Sequence, residues 1–206
     1  MITQAEYKIR RQKLSEFILD SEPEELFLLK GFAGTGKTTI TSTIVKNIWK
    51  VRKSVVLAAP TGRAAKVLGN YAKQNAQTIH RKIYFPKSKN NNITFSLRPN
   101  KHRNTLFIVD EASMIPENSD KGFGNRSLLD DLIQYVYQGI DCKLILIGDT
   151  AQLPPVHLDI SPALDEKKLE LKYNKQIICK ELTQVVRQKE DSFILKNATN
   201  LRNKIA

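Results

Sequence analysis

Leu26-Phe27-Leu28-Leu29-Lys30-Gly31-Phe32-Ala33-Gly34-Thr35-Gly36-Lys37-Thr38 decides the fold. A short apolar run enters a glycine-rich turn, after which Ile40, Ile44, Val45, Ile48 and Trp49 recur at helical spacing. The pattern reads strand, loop, helix. Within it, Gly31 to Thr38 matches G-x-x-x-x-G-K-[ST] in the context that gives the motif meaning, after a strand and opening a helix. Glycines let backbone N–H groups turn toward a β-phosphate, and the helix N-terminus adds positive potential. Lys37 is placed to reach the β- and γ-phosphates, and the Thr38 hydroxyl to ligate Mg²⁺. A chance glycine turn is the bland alternative.

The same cycle repeats downstream. Val55 to Ala59 is an apolar run followed by a helical pattern over roughly Gly62 to Lys73. Leu106 to Val109 is another, with a helix near Leu128 to Tyr137, and Leu144 to Ile147 is a fourth strand. Strands that do not alternate are buried on two faces, so the fold class is α/β, a mostly parallel sheet covered by helices on both sides. Such sheets bind ligands at the carboxyl ends of their strands, here Gly31, Pro60-Thr61, Asp110-Glu111 and Gly148-Asp149. Residues 1–25 are expected to form an amphipathic helix on the domain edge, carrying Ile9, Leu14, Phe17 and Ile18. Residues 84–104 break the rhythm: they are polar and basic, and alternating Ile93 to Leu97 follows three asparagines, which suggests an inserted β-hairpin. A fifth strand is expected from Ile177 through Leu182, Val185 and Val186, and a helix from Asp191 to Asn203.

With 206 residues, 41% hydrophobic and 26% charged, the chain can build one sizeable core, which excludes a peptide hormone or a disordered tail. Cys142 and Cys179 lie far apart with no metal-ligand spacing, so neither a disulfide framework nor a zinc site is indicated. No apolar stretch is long enough for a membrane span and the first residues do not read as a signal peptide, so a cytoplasmic protein with no membrane partner is expected. The net charge is +12, and its distribution is uneven: the 84 residues from Leu26 to Val109 hold 16 Lys or Arg and no Asp or Glu. This is either a solvated basic face or a surface that meets phosphates.

Where acids return, they come paired. Asp110 and Glu111 emerge together from an apolar strand at the sheet edge where phosphates would lie. Asp110 suits a Mg²⁺ shell and Glu111 the orientation and deprotonation of an attacking water; solvation of a strand end is the alternative. Gly148-Asp149-Thr150-Ala151-Gln152-Leu153-Pro154-Pro155-Val156 brings a third polar set to the same edge, with Gln152 able to hydrogen-bond a γ-phosphate or the water, although Gly-Asp and Pro-Pro are also turn chemistry.

The segments GFAGTGKTT, APTGRAAKVL, TIHR, VDEAS, GDTAQLPPV and LTQVVRQ, in this order, resemble the first motor domain of superfamily 1 DNA helicases of the RecD-like, 5′-to-3′ branch, P-loop ATPases of AAA type. The resemblance covers about Leu26 to Gln188. It implies a RecA-like fold, hydrolysis of ATP with Mg²⁺ coupled to movement along single-stranded DNA, and a second RecA-like domain as partner. Carried over by position, Gly31, Gly34, Thr35, Gly36, Lys37, Thr38 and Thr39 look like the ATP-binding loop, and Thr38 and Asp110 look like the metal site. Lys37, Asp110, Glu111, Gln152 and Arg187 look like the catalytic set, Arg187 stabilising charge on the transferring phosphoryl group. Thr61, Arg63, Lys66, Thr78 and His80 resemble the residues that contact the DNA backbone. For His80 a packed core histidine is the competing reading, and for Tyr84, Phe85 and Phe95 of the hairpin, core packing competes with base stacking.

Two departures accompany the resemblance. The family's adenine-reading glutamine has no match at the expected place, held by Glu6 or Tyr7, although Gln4 and Gln12 are nearby. The chain also stops after the first motor domain, which implies a fragment that binds Mg-ATP weakly, hydrolyses it slowly and does not unwind DNA alone. Two alternatives stay open: another P-loop NTPase, such as a nucleotide kinase or GTPase, and a nucleotide-gated DNA-binding module whose hydrolysis is vestigial.

Overall fold

The computed structural model describes residues 13–19, 25–89, 92–116, 127–149, 151–152 and 161–183. The expected adenine-reading positions, Arg187, Thr150, the Leu153 to Val156 segment and the helix from Asp191 lie outside them.

Among the described residues six strands form one sheet, in the spatial order Ala76–Thr78, Ser54–Ala59, Thr105–Val109, Lys143–Gly148, Glu25–Gly31, Gln176–Leu182. They are β1 (Glu25–Gly31), β2 (Ser54–Ala59), β3 (Ala76–Thr78), β6 (Thr105–Val109), β7 (Lys143–Gly148) and β8 (Gln176–Leu182), and every pairing between them is parallel. The helices are α1 (13–19), α2 (Lys37–Asn47), α3 (Gly62–Ala72), α4 (Ile79–Ile83), α5 (Leu128–Tyr137) and α6 (Glu166–Tyr173).

The two-sided burial read from the apolar runs is realised strand by strand. Successive side chains point to opposite faces, so Leu26 and Leu28 of β1, Phe107 and Val109 of β6, and Leu144 and Leu146 of β7 pack with Leu129, Leu132 and Val136 of α5 and Leu169 of α6. Phe27 and Leu29, Leu106 and Ile108, and Ile145 and Ile147 face the other way, against Phe17 of α1, Ile44 of α2 and Leu68 of α3. All six residues of β7 are buried, and each of its leucines contributes roughly 1.5–3 kcal/mol by leaving water.

Local chemistry sets the helix boundaries. Thr61 caps α3 by accepting from the Ala64 N–H at 3.2 Å, and Thr78 caps α4 by accepting from Arg81 N–H at 3.2 Å. Ser127 and Asp130 close a reciprocal capping box at α5. At the far end of α2 the sequence pattern carries too far: the helix ends at Asn47, a single 3-10 turn spans Ile48–Val51, and Trp49, expected on the packed face, is 68% exposed.

The hairpin is present as β4 (Tyr84–Lys89) and β5 (Asn92–Leu97), antiparallel, with Tyr84 opposite Leu97 and Lys89 opposite Asn92. Its base is tied to the main body. Tyr84 is buried and its hydroxyl donates to buried Asp131 at 2.7 Å, while Arg98 Nε donates to Tyr84 O at 2.6 Å. Of the three hairpin aromatics, Tyr84 is therefore core, Phe85 half-buried and Phe95 exposed. Among the described residues no helix is long and apolar enough to cross a membrane.

Candidate active site

The chain leaves β1 toward α2 on one face and leaves β6 toward α5 on the other, so a crevice opens at the carboxyl ends of the strands between them. Strand order places β7 between β6 and β1. The glycine-rich loop after β1, Gly148-Asp149 after β7 and Asp110-Glu111 after β6 thus sit on three consecutive strand ends.

The loop's backbone needs its glycines. Gly34 and Gly36 adopt φ of 82° and 93°, the left-handed region that a Cβ disfavours. At Gly31 the constraint is space, because a Cβ there would lie 2.7 Å from Thr35 Oγ1 and 2.9 Å from Leu182 Cβ of β8. Thr35 is buried, and its hydroxyl closes the turn by donating to Phe32 O at 2.7 Å. Lys37 Nζ donates back to the carbonyls of Gly31 at 2.5 Å and Phe32 at 3.0 Å, and lies 3.7 Å from the Asp149 carboxylate. Thr38 is half-buried in the first turn of α2 and Thr39 is exposed.

Asp110 accepts from the Glu111 backbone N–H at 3.0 Å. Burial pushes its carboxyl above the usual carboxylate range and the neighbouring Glu111 charge adds to the rise, opposed by that N–H and by Lys37. Glu111 occupies a left-handed backbone conformation, φ 55° and ψ 38°, and opens the 3-10 turn Ala112–Met114. A non-glycine residue there costs on the order of 1–2 kcal/mol. The turn buries Ser113, whose hydroxyl donates to Gln152 Oε1 at 2.8 Å. With the oxygen thus occupied, the Gln152 amide presents its Nε2 donors away from Ser113.

On the strand ends beyond β6, Thr61 follows β2 and Thr78 ends β3. Both hydroxyl oxygens serve the helix caps described above, which leaves each O–H free to rotate as a donor. Arg63 and Lys66 are exposed on α3. His80 is half-buried, its ring 5.8 Å from that of Tyr84.

Residues 16–158 match the family described as AAA domain. The chain belongs to that family. Among curated relatives, this AAA domain is 36% identical over 132 residues to the ATP-dependent RecD2 DNA helicase of Deinococcus radiodurans, covering 64% of this chain and 16% of that protein. It is 32% identical over 132 residues to the ATP-dependent DNA helicase dda of Enterobacteria phage T4, covering 62% of this chain and 28% of that one. Among solved structures it resembles the Pif1 helicase from Bacteroides in complex with ADP-AlF3 and single-stranded DNA, with a TM-score of 0.59 and 22% identity over 98% of this chain and 46% of that one. The Pif1 helicase from Candida albicans gives 0.56 at 22% identity. The fold is therefore the one these Pif1 structures share, and this AAA domain spans less than half the length of each of these relatives.

Within this AAA domain the glycine-rich loop, Asp110, Glu111 and Gln152 come together at the ends of three neighbouring strands, and Thr61, Arg63 and Thr78 occupy the adjoining stretch of the same sheet edge. Two residues were given no chemical role by sequence reasoning, although Gly148-Asp149 was among the strand ends expected to bind ligand. Asp149 is buried, pairs with Lys37 and accepts from Ala151 N–H at 2.9 Å. Ser113 links the Asp110-Glu111 turn to Gln152. The sequence signal for Asp149 was its place after an apolar strand, masked by turn chemistry; Ser113 had none beyond belonging to VDEAS.

Proposed function

We propose that this AAA domain is the ATP-hydrolysing motor domain of a DNA helicase, moving on single-stranded DNA and completed by a second RecA-like domain. The observation that carries the reading is the convergence on three consecutive strand ends of a phosphate-shaped loop, a lysine and two adjacent carboxylates.

ATP would lay its phosphates against the loop amides from Gly34 to Thr38 and the N-terminus of α2, with Gly31, Thr35 and Thr39 shaping the turn around them. Lys37 then exchanges the Gly31 and Phe32 carbonyls and Asp149 for phosphate oxygens, a change of partners rather than a new ordering. The residues present fit Mg²⁺: Thr38 offers a hydroxyl and half-buried Asp110 a carboxylate whose negative charge meets one backbone N–H and the nearby Lys37, hard oxygen donors in the number this ion takes from a protein when phosphates and water supply the rest. When bound, Mg²⁺ neutralises phosphate charge that builds as the bond to the leaving oxygen breaks. Glu111 accepts the proton of the water that attacks the γ-phosphorus. Gln152, its oxygen held by Ser113, donates Nε2 to the water or a γ-oxygen. Arg187 and the second domain supply further positive charge. Thr61, Arg63, Lys66, Thr78 and His80 line the DNA-facing edge, where a strand's phosphates meet exposed cations and cap hydroxyls. A cytoplasmic location is consistent with this work on DNA and with two free cysteines.

The test is steady-state Mg-ATPase with and without single-stranded DNA, alongside ATP binding. The expected result is turnover that Lys37→Ala abolishes and Glu111→Gln suppresses while ATP stays bound. An unchanged rate in Glu111→Gln, or ATP binding indifferent to Lys37→Ala, overturns the assignment.

A further inference from the structure

The other end of the sheet carries a surface that the nucleotide reading does not use. After α2, the 3-10 turn Ile48–Val51 leads to the first residues of β2, so it lies at the amino ends of the strands, opposite Lys37 and Thr61. Ile48 enters the core and Trp49 turns outward. The indole N–H donates to Lys46 O at 2.9 Å, so the polar edge of the ring is tethered while the side chain stays 68% exposed. Lys50 Nζ lies 5.9 Å from the ring centroid. Lys46, Lys50 and Arg52 are all exposed.

This turn is braced. Arg52 sits at φ 55°, and its carbonyl accepts from Asn104 Nδ2 at 2.8 Å, while Asn104 Oδ1 accepts from Lys53 Nζ at 2.7 Å. The neighbouring helix α3 presents Tyr71, 53% exposed, and is tied to α2 where Ser42 Oγ donates to Tyr71 O at 3.2 Å. Neither helix has an acid to neutralise the cations, because none exists between Leu26 and Val109. Among the described residues the Asp141 charge acts on neighbouring Lys53, favouring its charged form.

We propose that this surface is a second contact for single-stranded nucleic acid, a base stacking on Trp49 while adjacent phosphates meet Lys46, Lys50 and Arg52. Sequence-tolerant binding of single strands combines an aromatic platform with cations that track the backbone, since every base has a π-face and every nucleotide a charge. An acidic protein segment would satisfy the lysines but leave the indole uncovered. The inference rests on the proposed function only for the class of polymer, and it concerns the opposite end of the strands from Thr61, Arg63 and Thr78.

Trp49 is the chain's one tryptophan, so its fluorescence reports on this surface alone. The full chain is titrated with oligo-dT, and binding is followed in parallel by anisotropy of a labelled strand. Saturable quenching is expected, retained in Arg63→Ala/Lys66→Ala. It should weaken about tenfold in Lys46→Ala/Lys50→Ala, with the slope of log affinity against log salt flattened by about 1.4. Anisotropy that reports binding with no change in Trp49 emission overturns the inference and leaves the proposed DNA edge standing. Quenching lost in Arg63→Ala/Lys66→Ala but kept in Lys46→Ala/Lys50→Ala also overturns it, as does quenching by polyglutamate in place of oligo-dT. Quenching sensitive only to the Lys46 and Lys50 changes supports it, while the edge assigned to Arg63 and Lys66 is read separately, from the anisotropy of the Arg63→Ala/Lys66→Ala variant.

Discussion

The ends of β1, β7 and β6 and the ends of β2 and β3 lie side by side on one edge of the sheet, and they treat polar side chains in opposite ways. On the first three, charge is drawn inward: Lys37 is held by two carbonyls and Asp149, Asp110 is buried enough to raise its carboxyl, and Ser113 fixes Gln152. On the other two, Arg63 and Lys66 stand in solvent, and the threonine oxygens are engaged in capping. A site that must align one reacting phosphate needs donors fixed beforehand. A surface that must release each phosphate it meets needs exchangeable, screened contacts.

The contrast predicts unequal sensitivity to substitution. Lys37→Ala, on the fixed side, should lower ATP turnover by about a thousandfold or more, read by steady-state phosphate release. Glu111→Gln should lower it by about a hundredfold or more with nucleotide affinity kept, a split that single-turnover kinetics resolves. On the exchangeable side, Arg63→Ala with Lys66→Ala should weaken single-stranded DNA binding by about tenfold and flatten its salt dependence, leaving ATP affinity alone. If those two losses were equal in kind, with ATP affinity falling as well, the distinction between the two edges would fail.

Two aspartates sharpen it through pH. Asp110 has a raised carboxyl, so its burial costs stability at neutral pH and that cost disappears as pH falls through the raised value toward 3.8. Asp110→Asn should therefore raise the unfolding temperature at pH 7 while removing Mg²⁺-dependent nucleotide binding. Asp130 is the opposite case. Burial alone would push it up, but hydrogen bonds from Lys172, Tyr173 and Ser127 bring it down to about 2. Its contribution is full above the ordinary 3.8 and lost as pH falls through about 2. Asp130→Ala, which also opens the capping box of α5, should cost about 1–2 kcal/mol in denaturant unfolding at pH 7 and little at pH 2.

Much of this architecture could be read from the chain because buried parallel strands leave continuous apolar runs: β1, β2, β6 and β7 were legible for that reason, and α3 and α5 from their periodicity. β3 was not, since Ala76-Gln77-Thr78 is a three-residue edge strand whose side chains are only half-buried. Helix α6 escaped as well, because it buries Leu169 alone and leaves Leu171 87% exposed. Trp49 fitted the period of α2 but lies past its end, where a tighter turn swings it outward. At the site, the loop glycines and the Asp110-Glu111 pair carry their chemistry in local spacing. Asp149 and Ser113 acquire theirs from partners 112 and 39 positions away, which no local pattern encodes.

The left-handed backbone at Glu111 bears on how this protein would respond to laboratory evolution. Glycine at that position would relax the chain and remove the carboxylate in one substitution, so a library sorted only for heat resistance should enrich Glu111→Gly while discarding turnover. A selection that demands turnover must keep paying the conformational penalty, and compensating gains would have to arise elsewhere, in places such as the half-buried flank of α2. Parallel sorting of one library under the two regimes, followed by sequencing at position 111, would show whether stability and activity pull this residue apart.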